Sequence, residues 1–158
     1  MKMDDEYYMG FALKEAEKAL ILDEVPIGAV IVCNNQILAS AHNETETRHF
    51  ALAHAEMIAL QKLNEKKMDW RSLNCTIYVT LEPCSMCAGA LVLSRISRIV
   101  YGLANYKSGA CGTLYNIAHD DRLNHRIEIS AGIRAEESHS MLQSFFSYNR
   151  YRNKMQKI

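Results

Sequence analysis

A chain of 158 residues with 49% hydrophobic and 23% charged residues has the size and composition of one globular domain, residues 1–158, and leaves little room for a second. A domain of this length buries about 68–70% of the surface its unfolded chain exposes, so its core needs no staple and any metal it binds is expected to be functional. Eighteen Lys plus Arg balance eighteen Asp plus Glu, which excludes a whole-surface electrostatic grip on nucleic acid or membrane and leaves only a local basic patch. The stretch from Met1 to Glu6 has no apolar run behind it and nothing approaches a spanning segment, so the expected compartment is cytoplasmic and reducing, with no membrane contact. Five cysteines in such a compartment read as thiols or metal ligands rather than a disulfide framework.

Taken in chain order, Tyr8, Phe11, Ala12, Ala16, Ala19 and Leu20 recur at helical spacing and predict an amphipathic helix over 4–22, capped by Asp4 or Asp5. The run 28–33 (GAVIVC), the pair Asn34-Asn35 and the run 36–41 predict a hairpin, because asparagine tolerates the positive φ of a tight turn. A helix is expected over 54–64, a buried strand over 75–81 (CTIYVTL), a short helix over 85–93 and a strand over 99–102, which makes a βαβ unit with a parallel pair. A last strand is expected over 126–129. Beyond it Ser138, Met141, Leu142, Phe145, Phe146 and Asn149 trace one face of a basic terminal helix over about 133–155. Helices alternating with a mixed sheet predict a three-layer α/β/α sandwich.

The chemistry is concentrated at two places. Pro83-Cys84-Ser85-Met86-Cys87 sets two thiols three residues apart at the start of a helix, with Pro83 expected in the first turn, so both sulfurs can reach one metal. The positive end of that helix favours the thiolate that a metal requires. His54-Ala55-Glu56 opens the preceding helix, and side chains in the first turns of two helices flanking one sheet can converge on a point beyond their ends. One His and two Cys would hold zinc with a fourth position open, as catalytic sites do, and Glu56 would be the carboxylate that takes a water proton rather than a ligand. Singly, His54 reads as a half-buried histidine, Glu56 as a solvated helix residue and each Cys as a small buried hydrophobe. Jointly, H-x-E followed by P-C-x-x-C is the pattern of zinc-dependent nucleobase deaminases.

The segments 24–30 (EVPIGAV), 53–56 (AHAE), 78–84 (YVTLEPC), 86–90 (MCAGA), 94–96 (SRI) and 124–126 (NHR) resemble the bacterial tRNA-specific adenosine deaminases, in order and spacing, from about Tyr7 to Arg152. The resemblance implies a cytidine-deaminase-like fold with a central five-stranded sheet, a homodimer, one Zn2+ per subunit, and conversion of adenosine to inosine at the wobble position of a tRNA anticodon stem-loop. Carried over by position, His54, Cys84 and Cys87 match the zinc ligands, Glu56 the proton shuttle, and Asn43 the asparagine that hydrogen-bonds the base. Asn124 matches a polar residue near the anticodon loop, and Arg150 a basic position. Asn105 stands where that family carries Asp, and is expected to touch substrate and to relax the preference for RNA over DNA. Phe50-Ala51-Leu52 replaces the family's Asp-Pro before its Ala-His-Ala-Glu.

The basic patch lies at the C-terminus, where residues 138–158 hold Arg150, Arg152, Lys154 and Lys157, no acid, and Phe145, Phe146, Tyr148 and Tyr151 between them. Cations interleaved with aromatics suit phosphate contact and base stacking, so Phe146 and Arg150 join the candidate substrate residues. Phe145 and Phe146 could equally anchor the helix to the core. Cys33 and Cys75 are expected as buried fillers, Cys111 in a Gly-rich loop, and the remaining histidines as structural or surface residues. Two other functions fit the same motifs: deamination of a free base or nucleoside such as guanine or cytosine, which the basic aromatic terminus disfavours, and a non-catalytic zinc-stapled RNA-binding module, which gives Glu56 no task.

Overall fold

The computed structural model describes residues 4–69 and 74–158; Met1 to Met3, at the head of the N-terminal stretch read above, lie outside the described residues. Helix α1 (Asp5–Ile21) starts at Asp4, whose carboxylate accepts from the Tyr7 backbone N–H at 2.8 Å, with Asp5 and Glu6 adding negative charge to the first turn. Strands β1 (Gly28–Cys33) and β2 (Gln36–His42) form the expected hairpin, and Asn34 and Asn35 both take positive φ, 51° and 61°. There follow α2 (Ala55–Glu65), β3 (Cys75–Leu81), α3 (Ser85–Leu93), β4 (Arg98–Leu103), β5 (Glu128–Ala131) and α4 (Ala135–Met155).

The strands form one five-stranded sheet in the order β2-β1-β3-β4-β5. β1 is antiparallel to both β2 and β3, whereas β3–β4 and β4–β5 are parallel, so the sheet is mixed. Strand alternation builds the three layers. Ala29, Ile31, Ile77, Val79, Ile99 and Tyr101 face Ile58, Ala59 and Leu63 of α2 and Ala88 and Leu91 of α3. Val30, Val32, Tyr78 and Val100 project from the opposite face onto Tyr8, Met9, Ala12 and Leu13 of α1, with Met141 of α4 beside them. Contact between α1 and β1 is backbone-close at Gly28, where a Cβ would lie 1.9 Å from the Ala12 carbonyl oxygen, so no other residue fits there.

Three expectations need correcting. β5 begins two residues later than predicted, because the Ile127 N–H is committed to the Ala118 carbonyl (2.8 Å) and pairing with β4 starts only at Arg98 opposite Glu128. Pro83 lies outside the first turn of α3: Cys84 is the N-cap, and the proline ends the preceding extended segment. Cys33 and Cys75 are buried as expected but are not separate thiols. They face each other across the antiparallel β1–β3 pair with Cα atoms 4.4 Å apart and are joined as a disulfide. Cysteine spacing carried no sign of this, since which strands pair is a property of topology.

Candidate active site

His54 and Cys84 are the N-cap residues of α2 and α3, both with extended backbone (ψ 153° and 175°), and neither side chain makes a capping hydrogen bond. A Ser, Asp or Asn at these positions would turn inward to cap; imidazole and thiol instead project beyond the helix ends. Both helices pack on the same face of the sheet, so the two projections meet. Cys87, one turn into α3, completes the group. His54 Nδ1 lies 3.7 Å from Cys84 Sγ and 3.5 Å from Cys87 Sγ, and the three donor atoms fall within 4.8 Å of one another. Glu56, at the second position of α2, is buried beside them.

The electrostatics of the cluster follow from this geometry. The Cys87 thiol donates to Cys84 and, with help from His54, pulls the Cys84 thiol down to about 4, so that it is held as thiolate. Serving as that donor, Cys87 is pushed up, and burial adds to the rise; the pair therefore shares one negative charge. The Cys84 hydrogen bond raises the His54 imidazole against the opposing effect of burial. Burial lifts the Glu56 carboxyl to about 7, a value suited to taking and returning a proton near neutrality. Two positive helix ends aimed at one point, two thiols and an imidazole fit zinc, and the soft sulfur donors disfavour magnesium or calcium.

Two further carboxylates frame this site, and the sequence reading gave neither a role. Glu82, buried between β3 and Cys84, accepts from the backbone N–H groups of Asn105 (2.9 Å), Cys111 (3.1 Å) and Thr113 (3.1 Å) and from the Thr113 hydroxyl. It thereby pins the loop after β4 against the His54, Cys84 and Cys87 cluster, where Ala110 N–H reaches the Pro83 carbonyl at 2.9 Å and Gly109 bridges to Cys84. Glu24, fully buried between α1 and β1, holds the segment after β2 in the same manner. Their one signal in the sequence is a shared context, an acid just ahead of a proline at a strand boundary (Glu24-Val25-Pro26, Glu82-Pro83).

Asn43 sits at the end of β2, buried, and its neighbour Glu44 donates its N–H to the Ala53 carbonyl (3.0 Å), which brings it alongside His54. Asn105, Phe146 and Arg150 line one cleft of about 500 Å³ together with Tyr106, Lys107 and His139. Within that cleft the Asn105 side chain is engaged by its own loop: Oδ1 accepts from Lys107 N and Ser108 N, both at 3.1 Å, and Nδ2 donates to Ser108 Oγ at 2.9 Å. Phe145 and Phe146 differ in burial: Phe145 anchors the helix to the core, while Phe146 is 44% exposed and faces the cleft. Arg150 is exposed, but Arg152 is tied to Asp23 at 2.7 Å. Asn124 lies apart, in a small cleft at the C-terminal end of α3, about 13 Å along that helix from Cys84. His119 and His125 bond the carbonyls of Ile127 and Ile96, in keeping with structural roles.

Comparison with known proteins agrees with this constellation. Residues 3–150 match the family model of the MafB19-like deaminases. The chain is 47% identical over 150 residues to a tRNA-specific adenosine deaminase of Bacillus subtilis (95% of this chain, 93% of the relative). It is 44% identical over 154 residues to one of Streptococcus pyogenes (98% and 90%). A solved structure from work on A-to-I editing by tRNA:A34 deaminases superposes with a TM-score of 0.81 at 35% identity, covering 86% of this chain and 99% of the other. A guanine deaminase from Nitrosomonas europaea shares the fold alone, with a TM-score of 0.77 at 19% identity over 92% of this chain and 86% of the other. The chain belongs to the MafB19-like deaminases and, among them, to the tRNA-specific adenosine deaminases.

Proposed function

We propose that this protein hydrolyses adenosine to inosine at the wobble position of a tRNA anticodon stem-loop, as the names of its relatives indicate for them. The observation that carries the reading is the meeting of His54, Cys84 and Cys87 at two helix N-termini with Glu56 buried beside them. These three residues would hold one zinc ion per subunit, which would supply Lewis acidity for activating a water. Glu56 accepts that water's proton at its carboxylate and passes it to the purine ring nitrogen as C6 is attacked; it then takes the proton of the new C6 hydroxyl and returns it to the departing amine, so that the C6 carbonyl forms as the C–N bond breaks. Water enters, ammonia leaves, and the carboxylate is restored. Asn43 orients the base. Because a stacked adenine hides C6, the nucleotide must be splayed out, which a single-stranded loop allows at little cost.

Phe146 and Arg150 supply a stacking face and a phosphate contact on the wall of the cleft beside Asn105, and Asn124 meets the loop at a more distant point. The whole chain acts as one domain in the cytoplasm, where its substrate is. Exposed Phe50, Leu52 and Leu93 offer apolar surface for a homodimer. No helix among the described residues is long and apolar enough to cross a membrane. The test is to incubate zinc-loaded protein with an anticodon stem-loop and, separately, with free adenosine, guanine and cytidine. Inosine in the hairpin alone supports the reading. Turnover of a free base, or hairpin binding without ammonia release, would overturn it.

A further inference from the structure

Glu24 is fully buried, yet no step of the deamination uses it. It receives a fan of hydrogen bonds, all from the segment that leaves β2: Asn43 Nδ2 at 3.3 Å, Thr45 Oγ1 at 3.5 Å, Glu46 N at 3.2 Å and Thr47 N at 2.5 Å. Thr45 Oγ1 in turn accepts from Asn43 Nδ2 at 3.4 Å. The Asn43 amide nitrogen therefore faces two acceptors, the carboxylate and the hydroxyl that the carboxylate orients. The Asn43 side-chain oxygen, Oδ1, has no hydrogen-bond partner among the described residues, whereas the backbone carbonyl meets His42 Nδ1 at 3.1 Å.

An asparagine amide can turn over and exchange its oxygen and nitrogen, and at an unconstrained position both orientations are populated. Here the turned-over form would set Oδ1 against Glu24 Oε2, two acceptors with no proton between them, inside the protein where such a clash is not screened by water. We propose that Glu24 is a positioning residue that locks the Asn43 amide in one orientation, leaving its carbonyl oxygen as the group offered to the substrate base. On adenine, whose ring nitrogens N1, N3 and N7 all accept, the group that meets this oxygen is an N–H of the 6-amino group, and a base with an acceptor in its place is rejected. The inference rests on the reading of Asn43 as the base contact. It deepens that reading by assigning the origin of the polarity.

A double-mutant cycle on kcat/KM with the stem-loop tests it, using Glu24→Gln, Asn43→Ala and the pair, at a temperature well below each variant's melting point and with zinc content checked. Losing one oriented hydrogen bond at a reacting base costs roughly ten- to a hundredfold, and each single variant is expected to lose that much. If Glu24 acts through Asn43, the double variant is no worse than Asn43→Ala within about threefold. A purely structural Glu24 predicts losses that multiply, and that outcome overturns the proposal. Thr45→Val keeps the carboxylate and removes the second acceptor, so it serves if Glu24→Gln does not fold. It should lower kcat/KM several-fold in the wild-type background and leave Asn43→Ala unchanged. Wild-type chain inactive on the stem-loop would remove the functional reading and this inference together, whereas an active wild type with multiplying losses removes the inference alone.

Discussion

Replacing Glu82 by Gln tests the idea that the loop after β4 is held to the His54, Cys84 and Cys87 cluster by one buried carboxylate. Each of the two carboxylate oxygens receives two hydrogen bonds: Oε1 from the N–H groups of Cys111 and Thr113, and Oε2 from the Asn105 N–H and the Thr113 hydroxyl. Glutamine retains one acceptor. It can satisfy the first pair or the second, and in either orientation its amide N–H2 is turned toward a donor that has lost its partner. If the first pair is kept, the Thr113 hydroxyl can rotate to accept from the new amide, but the Asn105 N–H cannot. A hydrogen bond to a charged group is worth about 1.5–3 kcal/mol and a stranded donor costs a further 1–3, which places the expected loss at about 2–4 kcal/mol after some rehydration of the loop. For a domain of this size that corresponds to a fall in Tm of about 5–10 °C. Thermal and urea unfolding of the zinc-loaded protein would measure it. Gly109→Ala attacks the same contact from the other side, since its Cβ would meet Glu82 Oε2 and the Asn105 carbonyl oxygen, each at 2.5 Å. The two losses should therefore be strongly non-additive. A Tm change below 2 °C for Glu82→Gln, or losses that simply add, would refute the clamp.

Glu56→Gln should keep zinc and fold while lowering kcat by about 10²–10⁴-fold, because the amide matches the carboxylate in shape but cannot take the water's proton; metal analysis and single-turnover kinetics check both halves. Cys87→Ala should lose zinc as well as activity, since two remaining protein donors seldom hold a catalytic zinc, and full metal occupancy in that variant would exclude Cys87 as a ligand. Deleting Tyr151 to Ile158 should leave zinc in place and weaken RNA binding, with the log-log salt slope reduced by about 1.5. Lys154 and Lys157 are available for phosphates, whereas Arg152 is engaged by Asp23.

How much of this could be read from the sequence depended on whether the deciding interaction was local. The hairpin turn was legible because only a few residue types accept positive φ, and Asn34-Asn35 are two of them in succession. β1, β3 and α3 were legible to the residue because each apolar run is bounded by a turn residue or a proline. That His54, Cys84 and Cys87 would come together as a donor set was legible for another reason: a chelate needs several donor types at fixed spacing, and packing alone gives no cause to put His, Glu, Cys and Cys in that order. The Cys33–Cys75 bond and the carboxylates of Glu24 and Glu82 were not legible as such. Each depends on which segments become neighbours, and a buried acid looks in sequence like any exposed one until its donors are known.

The C-terminal helix shows the same boundary between composition and contact, with a functional consequence. In sequence its cations are equivalent and its aromatics are equivalent. Folding separates them: Phe145 turns into the core while Phe146 joins the cleft wall, and Arg152 spends its guanidinium on Asp23 and Asn149 while Arg150, among the described residues, bonds only Ser147 Oγ on its own helix. The Asp23 pair anchors the far half of α4 to the end of α1, and Asp23 is followed directly by Glu24, whose hydrogen bonds hold Asn43. The junction between α1 and β1 therefore fixes both the helix that carries Phe146 and Arg150 and the amide proposed to read the base. On the proposed roles, the surface that would stack a nucleotide at Phe146 and the amide that would hold the base at Asn43 are tied to each other through two adjacent residues, neither of which needs to touch the RNA.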